Sequence, residues 1–230
     1  APLQPAYIIH CRKISDSRCV ISVFSEAHGL VSLMGRQPSK KQPQFMLFVP
    51  ALISWRQKST SKFLLSYELQ SNKVSSALQG RALYCAFYLN ELLSRALPKD
   101  EPTPQLYQYY VELLGALYQG VDLEIGLRRF ELILLQAIGY EIEFSQTVDG
   151  AGVEDQGYYR VSPRRGVSQA SSDYREAIPG WVLNAIANNR YDAKEVRQWS
   201  KWLNRRLLAP VIGHAPLKSR ELFAAKPSST

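Results

Sequence analysis

The sequence predicts an α+β protein: a small β-barrel or sandwich first, helices next, and a small mixed region at the end. Three observations carry this reading. Five short β-rich runs, separated by turn residues, fill positions 7–69. From about Ser75 the apolar spacing changes to that of helices. Glycine and proline then punctuate three successive helical patterns, before a polar stretch rich in Gly and Ser at 150–172.

The β-rich runs are 7–10, 19–24, 29–35, 46–53 and 62–67. Pro50 lies inside the fourth and marks it as an edge strand or a bulged one. Residues 35–44, with Arg36, Lys40 and Lys41, read as a basic loop. In the first helix Ala82, Cys85, Ala86, Leu89, Leu92, Leu93, Ala96 and Leu97 recur at helical spacing, and Pro98 closes it. The Pro-rich link 98–104 leads to a second, lined by Leu106, Tyr109, Tyr110, Leu113, Leu114 and Leu117, with Gly120 suited to its C-cap. A third, about 123–138, ends at Gly139 with apolar Tyr140 behind it. One or two short strands are expected around 158–161.

The last clear helix begins near Asp192, whose side chain is expected to cap while Glu195 reaches back. At ~100° per residue, Lys194, Arg197, Lys201 and Arg205 share one arc, opposite Val196, Trp199, Leu203 and Leu207. No internal repeat is visible.

Composition bounds the function. With 230 residues, 46% hydrophobic and 21% charged, the chain is neither disordered, collagen-like nor a coiled coil, and suits one large domain or two smaller ones. The longest nearly unbroken apolar stretch, 46–55, falls short of the ~18 residues of a membrane helix. The first residues lack the basic and apolar regions of a signal peptide. A soluble, cytoplasmic protein is therefore expected. Cys11, Cys19 and Cys85 form no C-x-x-C pair, so neither a disulfide framework nor a cysteine zinc site is supported.

The net charge of +8 points to polyanionic partners. Residues 1–80 hold 10 Lys/Arg against 3 Asp/Glu, residues 81–144 hold 5 against 9, and residues 145–230 hold 13 against 8. Two basic ends flank an acidic middle, so a phosphate backbone is drawn to the ends.

Enzyme signatures are absent: no phosphate-binding glycine loop, nucleophile elbow or zinc-binding helix pattern occurs. His10, His28 and His214 have no neighbours at metal-ligand spacing, and no carboxylates converge. No catalytic residue, metal or cofactor is expected. The basic β-rich end, by contrast, carries Arg12, Lys13, Arg18, Arg36, Lys40, Lys41, Arg56, Lys58 and Lys62 among the rings Tyr7, Phe24, Phe45, Phe48 and Trp55. Cations along a backbone with rings that stack on bases suit a single-strand-binding barrel; the alternative for each ring is barrel core. The row Lys194, Arg197, Lys201 and Arg205 is either a solvated face or a second polyanion contact. Arg128-Arg129 admits two readings. One is ion pairing with Glu124, Glu131 or Glu112; the other is docking of a peptide carboxylate beside an apolar pocket.

Three segments resemble the RecO family of bacterial DNA repair proteins: Tyr88-Leu89-Asn90-Glu91-Leu92-Leu93-Ser94-Arg95, then Leu127-Arg128-Arg129-Phe130-Glu131-Leu132 with Ile138-Gly139-Tyr140, then Pro216-Leu217-Lys218-Ser219-Arg220-Glu221-Leu222-Phe223. The order Ala6-Tyr7-Ile8-Ile9-His10, Arg12, Phe24, His28-Gly29, Val31-Ser32-Leu33 is similar as well. The resemblance covers nearly the whole chain, least across 35–45 and 145–190. It implies an OB-fold over 1–72, a central helical domain over 73–144, and a C-terminal region over 145–230 whose basic helix packs back on the helical domain.

The resemblance further implies a recombination mediator without enzymatic activity. Such a protein binds single- and double-stranded DNA and anneals complementary strands, even when coated by single-stranded-DNA-binding protein (SSB). With RecR it helps load RecA. DNA contacts are expected at Arg12, Lys13, Arg36, Lys40, Lys41, Lys194, Arg197, Lys201 and Arg205, and the SSB tail at Arg128, Arg129 and Phe130. A nucleoid-associated location and no membrane contact go with this. Many members carry a four-cysteine zinc site after the helices. Here that stretch has no Cys, and Ser145 lies near where the first is expected, as in a zinc-less, gammaproteobacterial-like subtype. Where the family's basic loop reads Lys-Gly-Ala-Arg, this chain has Met34-Gly35-Arg36-Gln37, poorer in charge. Two other classes compete: a sequence-specific DNA-binding regulator, for which no helix-turn-helix spacing is seen, and a nucleic-acid-processing enzyme.

Overall fold

The β-rich runs form strands that close on one another. The computed structural model describes residues 2–38, 44–70, 77–213 and 215–224. β1 (Gln4–Lys13), β2 (Arg18–Ser25), β3 (Gly29–Arg36), β4 (Pro50–Lys58) and β5 (Ser61–Leu69) make a closed barrel in the order β1-β2-β3-β5-β4. Antiparallel pairing of β1 with β4 completes it, and β3 meets β5 in parallel. This is the five-stranded Greek-key order of an OB-fold. Ile8, Ile21, Val23, Leu33, Ile53 and Trp55 fill its interior.

The fourth strand corrects the sequence reading. It spans Pro50–Lys58, so Pro50 opens the strand instead of interrupting it. A residue without an N–H fits best at a strand's first position. The bulges fall elsewhere: at Ile9, between the pairs Ile8↔Val23 and His10↔Ser22, and at Leu65, between Ser54↔Ser66 and Trp55↔Leu64.

By packing, the chain divides into two units, residues 1–123 with 216–230, and residues 124–215. The expected central segment contributes to both. In the first unit, α1 (Gly80–Ala96) and α2 (Pro104–Tyr118) accompany the barrel. Tyr7 and Phe24 meet Tyr107 and Tyr110 of α2 with ring centroids 5.3–6.2 Å apart. The bulge at Ile9 takes its carbonyl out of the ladder. Asn90 Nδ2 donates to that oxygen at 2.9 Å, while the Tyr110 hydroxyl donates to Asn90 Oδ1 at 2.7 Å. Gly29 (φ +63°) begins β3 where a Cβ would lie 1.8 Å from the Glu101 carbonyl oxygen, so only glycine lets the 98–104 link pass there.

The second unit holds α3 (Glu124–Ala137), a sheet of β6 (Tyr158–Ser162), β7 (Gly166–Gln169) and β8 (Ile178–Pro179), α4 (Gly180–Ala187) and α5 (Lys194–Ile212). α3 ends as expected: Gly139 is left-handed (φ 76°) and Tyr140 N–H donates to the Leu135 carbonyl at 2.8 Å. α4 has no counterpart in the sequence reading. It is only 8 residues long and mostly apolar, so it shows no clean helical stripe. α5 starts differently from expectation. Its N-cap is Ala193, and no side chain caps it. Arg197 instead donates to the carbonyls of Tyr191 (2.8 Å) and Asp192 (2.6 Å), closing the entering turn.

α6 (Lys218–Ala224) belongs to the first unit and is held by α1. Glu91 Oε2 accepts from the Ser219 N–H (2.9 Å) and hydroxyl (2.6 Å), and Oε1 accepts from the Lys218 N–H (3.0 Å) and from Arg95 (2.6 Å). Two segments that stand out in the sequence thus meet. Burial raises the Glu91 carboxyl pKa, but the Ser219 and Lys218 bonds, with Arg95, outweigh it and hold the group below its usual value. A depressed folded pKa contributes stability above the unfolded value, about 4.3, that is lost as pH falls below it. Glu91→Gln is expected to cost about 1–3 kcal/mol at pH 7 and to speed amide exchange across 217–223. Unchanged exchange there would refute the anchoring role.

Candidate nucleic-acid interface

The barrel collects cations at one end. The last four residues of β1 are exposed on both faces, so the β1–β2 hairpin projects past the core and carries Arg12 and Lys13 into solvent. Arg18 begins β2 directly opposite Arg36, the last residue of β3. The β4–β5 hairpin adds Arg56 and Lys58. Antiparallel pairing of β1 with β2, β2 with β3 and β4 with β5, and the parallel β3–β5 match, bring these strand ends together. All six side chains are exposed. An OB-fold commonly grips oligonucleotides at this end, where the β1–β2 and β4–β5 loops lie.

Little opposes this charge. Lys13 Nζ lies 2.7 Å from Asp16 Oδ1 in a largely exposed pair, a contact worth little. Lys62 is half-buried and taken by Asp100. Arg18 and Arg36 face each other across two strands, an arrangement that destabilises an isolated sheet and that a phosphate would relieve. Sequence alone could not single out Arg18, since its partner is set by register. Lys40 and Lys41 lie outside the described residues, as does His214.

The expected stacking rings are not available there. Tyr7, Phe24, Phe48 and Trp55 are buried, and Phe45 packs on Tyr67. The barrel needed them as core and as the seat for α2. Exposed rings occur elsewhere: at Tyr158, Tyr174 and Trp181 in the second unit, and at Phe223 of α6, which meets Tyr84 edge-on.

On α5, Lys194, Lys201 and Arg205 are exposed, whereas Arg197 is half-buried and also lies 3.6 Å from Glu124. The predicted row is therefore three solvated cations and one structural one. Opposite them Val196, Leu203 and Leu207 are buried. Trp199 is only half-buried, edge-on to Trp202 at 5.4 Å.

Arg128 and Arg129 do not emerge freely. Arg128 is 7% exposed and its Nη2 lies 2.9 Å from Oε1 of Glu131, which is 0% exposed. Asn204 of α5 donates to the other Glu131 oxygen (2.9 Å) and to the Arg128 carbonyl (3.0 Å). Arg129 donates to the Asn189 carbonyl at 3.1 Å and lies over the Tyr191 ring. Each guanidinium keeps a buried Nε–H with no hydrogen-bond partner. Phe130 is fully buried, because it shares the core side of α3 with Leu127, Leu134 and Leu135.

Among the described residues no three His, Cys, Asp or Glu side chains gather to hold a metal. His28 packs edge-on against Trp55. The β1–β2 pairing brings the Cys11 and Cys19 thiols together, and burial pushes Cys19 up to about 11, a poor nucleophile at neutral pH. No helix of the described residues is long and apolar enough to cross a membrane.

A family model described as "Recombination protein O C terminal" matches residues 77–221. The chain is 37% identical over 224 residues to a protein named "DNA repair protein RecO" from Pseudoalteromonas translucida, covering 96% of each chain. It is 38% identical over 228 residues to the protein of that name from Cellvibrio japonicus, again covering 96% of each. With that from Methylococcus capsulatus it shares 34% over 226 residues, covering 96% of this chain and 92% of the relative.

Proposed function

The chain belongs to the RecO family of DNA repair proteins, and on that premise we propose that it is a recombination mediator working without catalysis or cofactor. It binds single- and double-stranded DNA, anneals complementary strands including SSB-coated ones, and with RecR promotes RecA loading. It acts in the cytoplasm, at the nucleoid. One observation above all supports this reading: six exposed cations share one end of the barrel, with Arg18 set against Arg36.

Annealing needs no bond chemistry. Two polyanions repel, and a protein that screens both lets bases find register. The barrel, centred on Arg12, Lys13 and Arg36, provides one cationic surface, and Lys40 and Lys41 are expected from the sequence to bind DNA with it. Lys194, Lys201 and Arg205 of the 145–230 segment provide another, with Arg197 setting the helix start. The 73–144 segment carries the SSB-tail site at Arg128 and Arg129. A guanidinium matches a peptide carboxylate with paired N–H donors, and buried Phe130 holds that turn of α3 in place. Tail binding would raise the local concentration of the DNA-binding surfaces on coated strands.

The test is ATP-free annealing of complementary oligonucleotides precoated with SSB, followed by fluorescence. Acceleration that disappears when the SSB tail is deleted is the expected result. No acceleration, despite tight binding to naked strands, would overturn the mediator reading and favour a DNA-binding regulator.

A further inference from the structure

Among the described residues the barrel end offers cations but no exposed ring, whereas in the second unit exposed Tyr158 and Tyr174 accompany Arg160 and Arg175. We propose that the solvent face of the β6–β8 sheet, with the 170–175 loop at its edge, is a single-stranded nucleic-acid site that stacks unpaired bases. The inference rests on the nucleic-acid reading above and adds a base-contacting surface to it.

Strand alternation creates the face. Tyr159 and Val161 of β6 turn inward, so Tyr158 (39% exposed) and Arg160 turn outward. Arg160 pairs across to Ser168 of β7 and donates from Nε to its hydroxyl at 3.0 Å, which steers the guanidinium along the sheet. Next to it lies an open cavity of about 430 Å³, lined by Arg160, Gln169, Ser171, Asp173, Tyr174 and Arg175. Tyr174 is 44% exposed.

The loop that presents this ring is anchored. Tyr174 N–H donates to the Ser171 carbonyl (3.1 Å), and Ala177 N–H donates to the Tyr174 carbonyl (2.9 Å). Glu176 is 2.6 Å from Arg206, which also covers the Trp202 ring. That bridge ties the loop to the turn of α5 that carries exposed Arg205. Asp173 is the one carboxylate lining the cavity, and it accepts from the Ser171 hydroxyl. Two guanidiniums against one carboxylate leave the rim cationic.

Exposed tyrosines interleaved with arginines match how sequence-tolerant proteins hold single strands, phosphates on the cations and bases on the rings. A duplex keeps its bases stacked and paired, and cannot offer a ring face to Tyr174. The occupant is therefore an unpaired strand.

Binding by the full chain is measured on an oligo-dT strand and on a hairpin duplex with the same number of phosphates. Tyr174→Ala is expected to weaken oligo-dT binding about tenfold, leave duplex binding within about twofold, and keep the melting temperature. Tyr174→Phe should bind like wild type, since the ring remains. Arg160→Ala with Arg175→Ala should flatten the single-strand salt slope by about 1.4, at about 0.7 per phosphate contact. Wild-type binding that none of these changes alters would overturn this site and leave the barrel reading intact. Equal losses on both probes would overturn the single-strand assignment. A wild-type chain that binds neither probe would overturn the nucleic-acid reading itself, and this site with it.

Discussion

Replacing Arg12, Arg18 and Arg36 together by alanine is expected to weaken duplex binding on the order of 10²–10³-fold at about 0.1 M salt. The plot of log affinity against log salt should flatten by about 2.7, because each phosphate contact on B-form DNA releases about 0.9 counterion. The three side chains sit on the ends of β1, β2 and β3 and are exposed, so none supports the barrel core. Removing the Arg18–Arg36 opposition should leave the folded state as stable or slightly more so, by about 0.2–1 kcal/mol. Opposite signs for affinity and stability are the mark of charge kept for binding. The triple Arg→Lys variant should keep the slope. A slope unchanged in the alanine variant would move the footprint away from the barrel end, to α5.

Arg128→Ala is expected to cost about 3–5 kcal/mol of stability, read from the urea midpoint with the m-value checked. Glu131 is completely buried, and the variant removes the guanidinium 2.9 Å from it, a charge that the neutral N–H of Asn204 does not replace. The double variant Arg128→Met/Glu131→Leu should regain most of the loss, since a buried ion pair is often matched by apolar packing. A loss below about 1 kcal/mol would mean that solvent or a rearranged neighbour satisfies Glu131. The consequence for SSB is direct. Weakened tail binding by Arg128→Ala counts as recognition only in a variant shown to be folded, with naked-DNA binding retained.

Much of the fold was legible because it rests on local regularities. β-rich runs bounded by turn residues placed β1, β2, β3 and β5 near their observed positions, and helical spacing placed α1, α2 and α3. Gly139 marked the end of α3 because a left-handed residue is needed there whatever packs around it. Short α4 was missed for want of period, and the start of α5 was misread. Asp192 and Glu195 looked like a cap, but Arg197 closes that turn through two carbonyls several residues upstream.

The candidate sites divide in the same way. That the barrel segment is basic follows from composition, which no fold can change. Which cations converge depends on register: Arg18 meets Arg36 only because β2 and β3 pair as they do. Burial decides the rest. Arg128 admitted ion pairing or docking and each of Tyr7, Phe24 and Trp55 admitted stacking or core; the fold pairs Arg128 with buried Glu131 and places these rings in the interior. The sequence by itself determined most element types, the family and the sign of the chain's own charge, all local or additive properties. Only the tertiary structure decided which charged and aromatic groups face solvent, because that depends on which distant segment lies against each one.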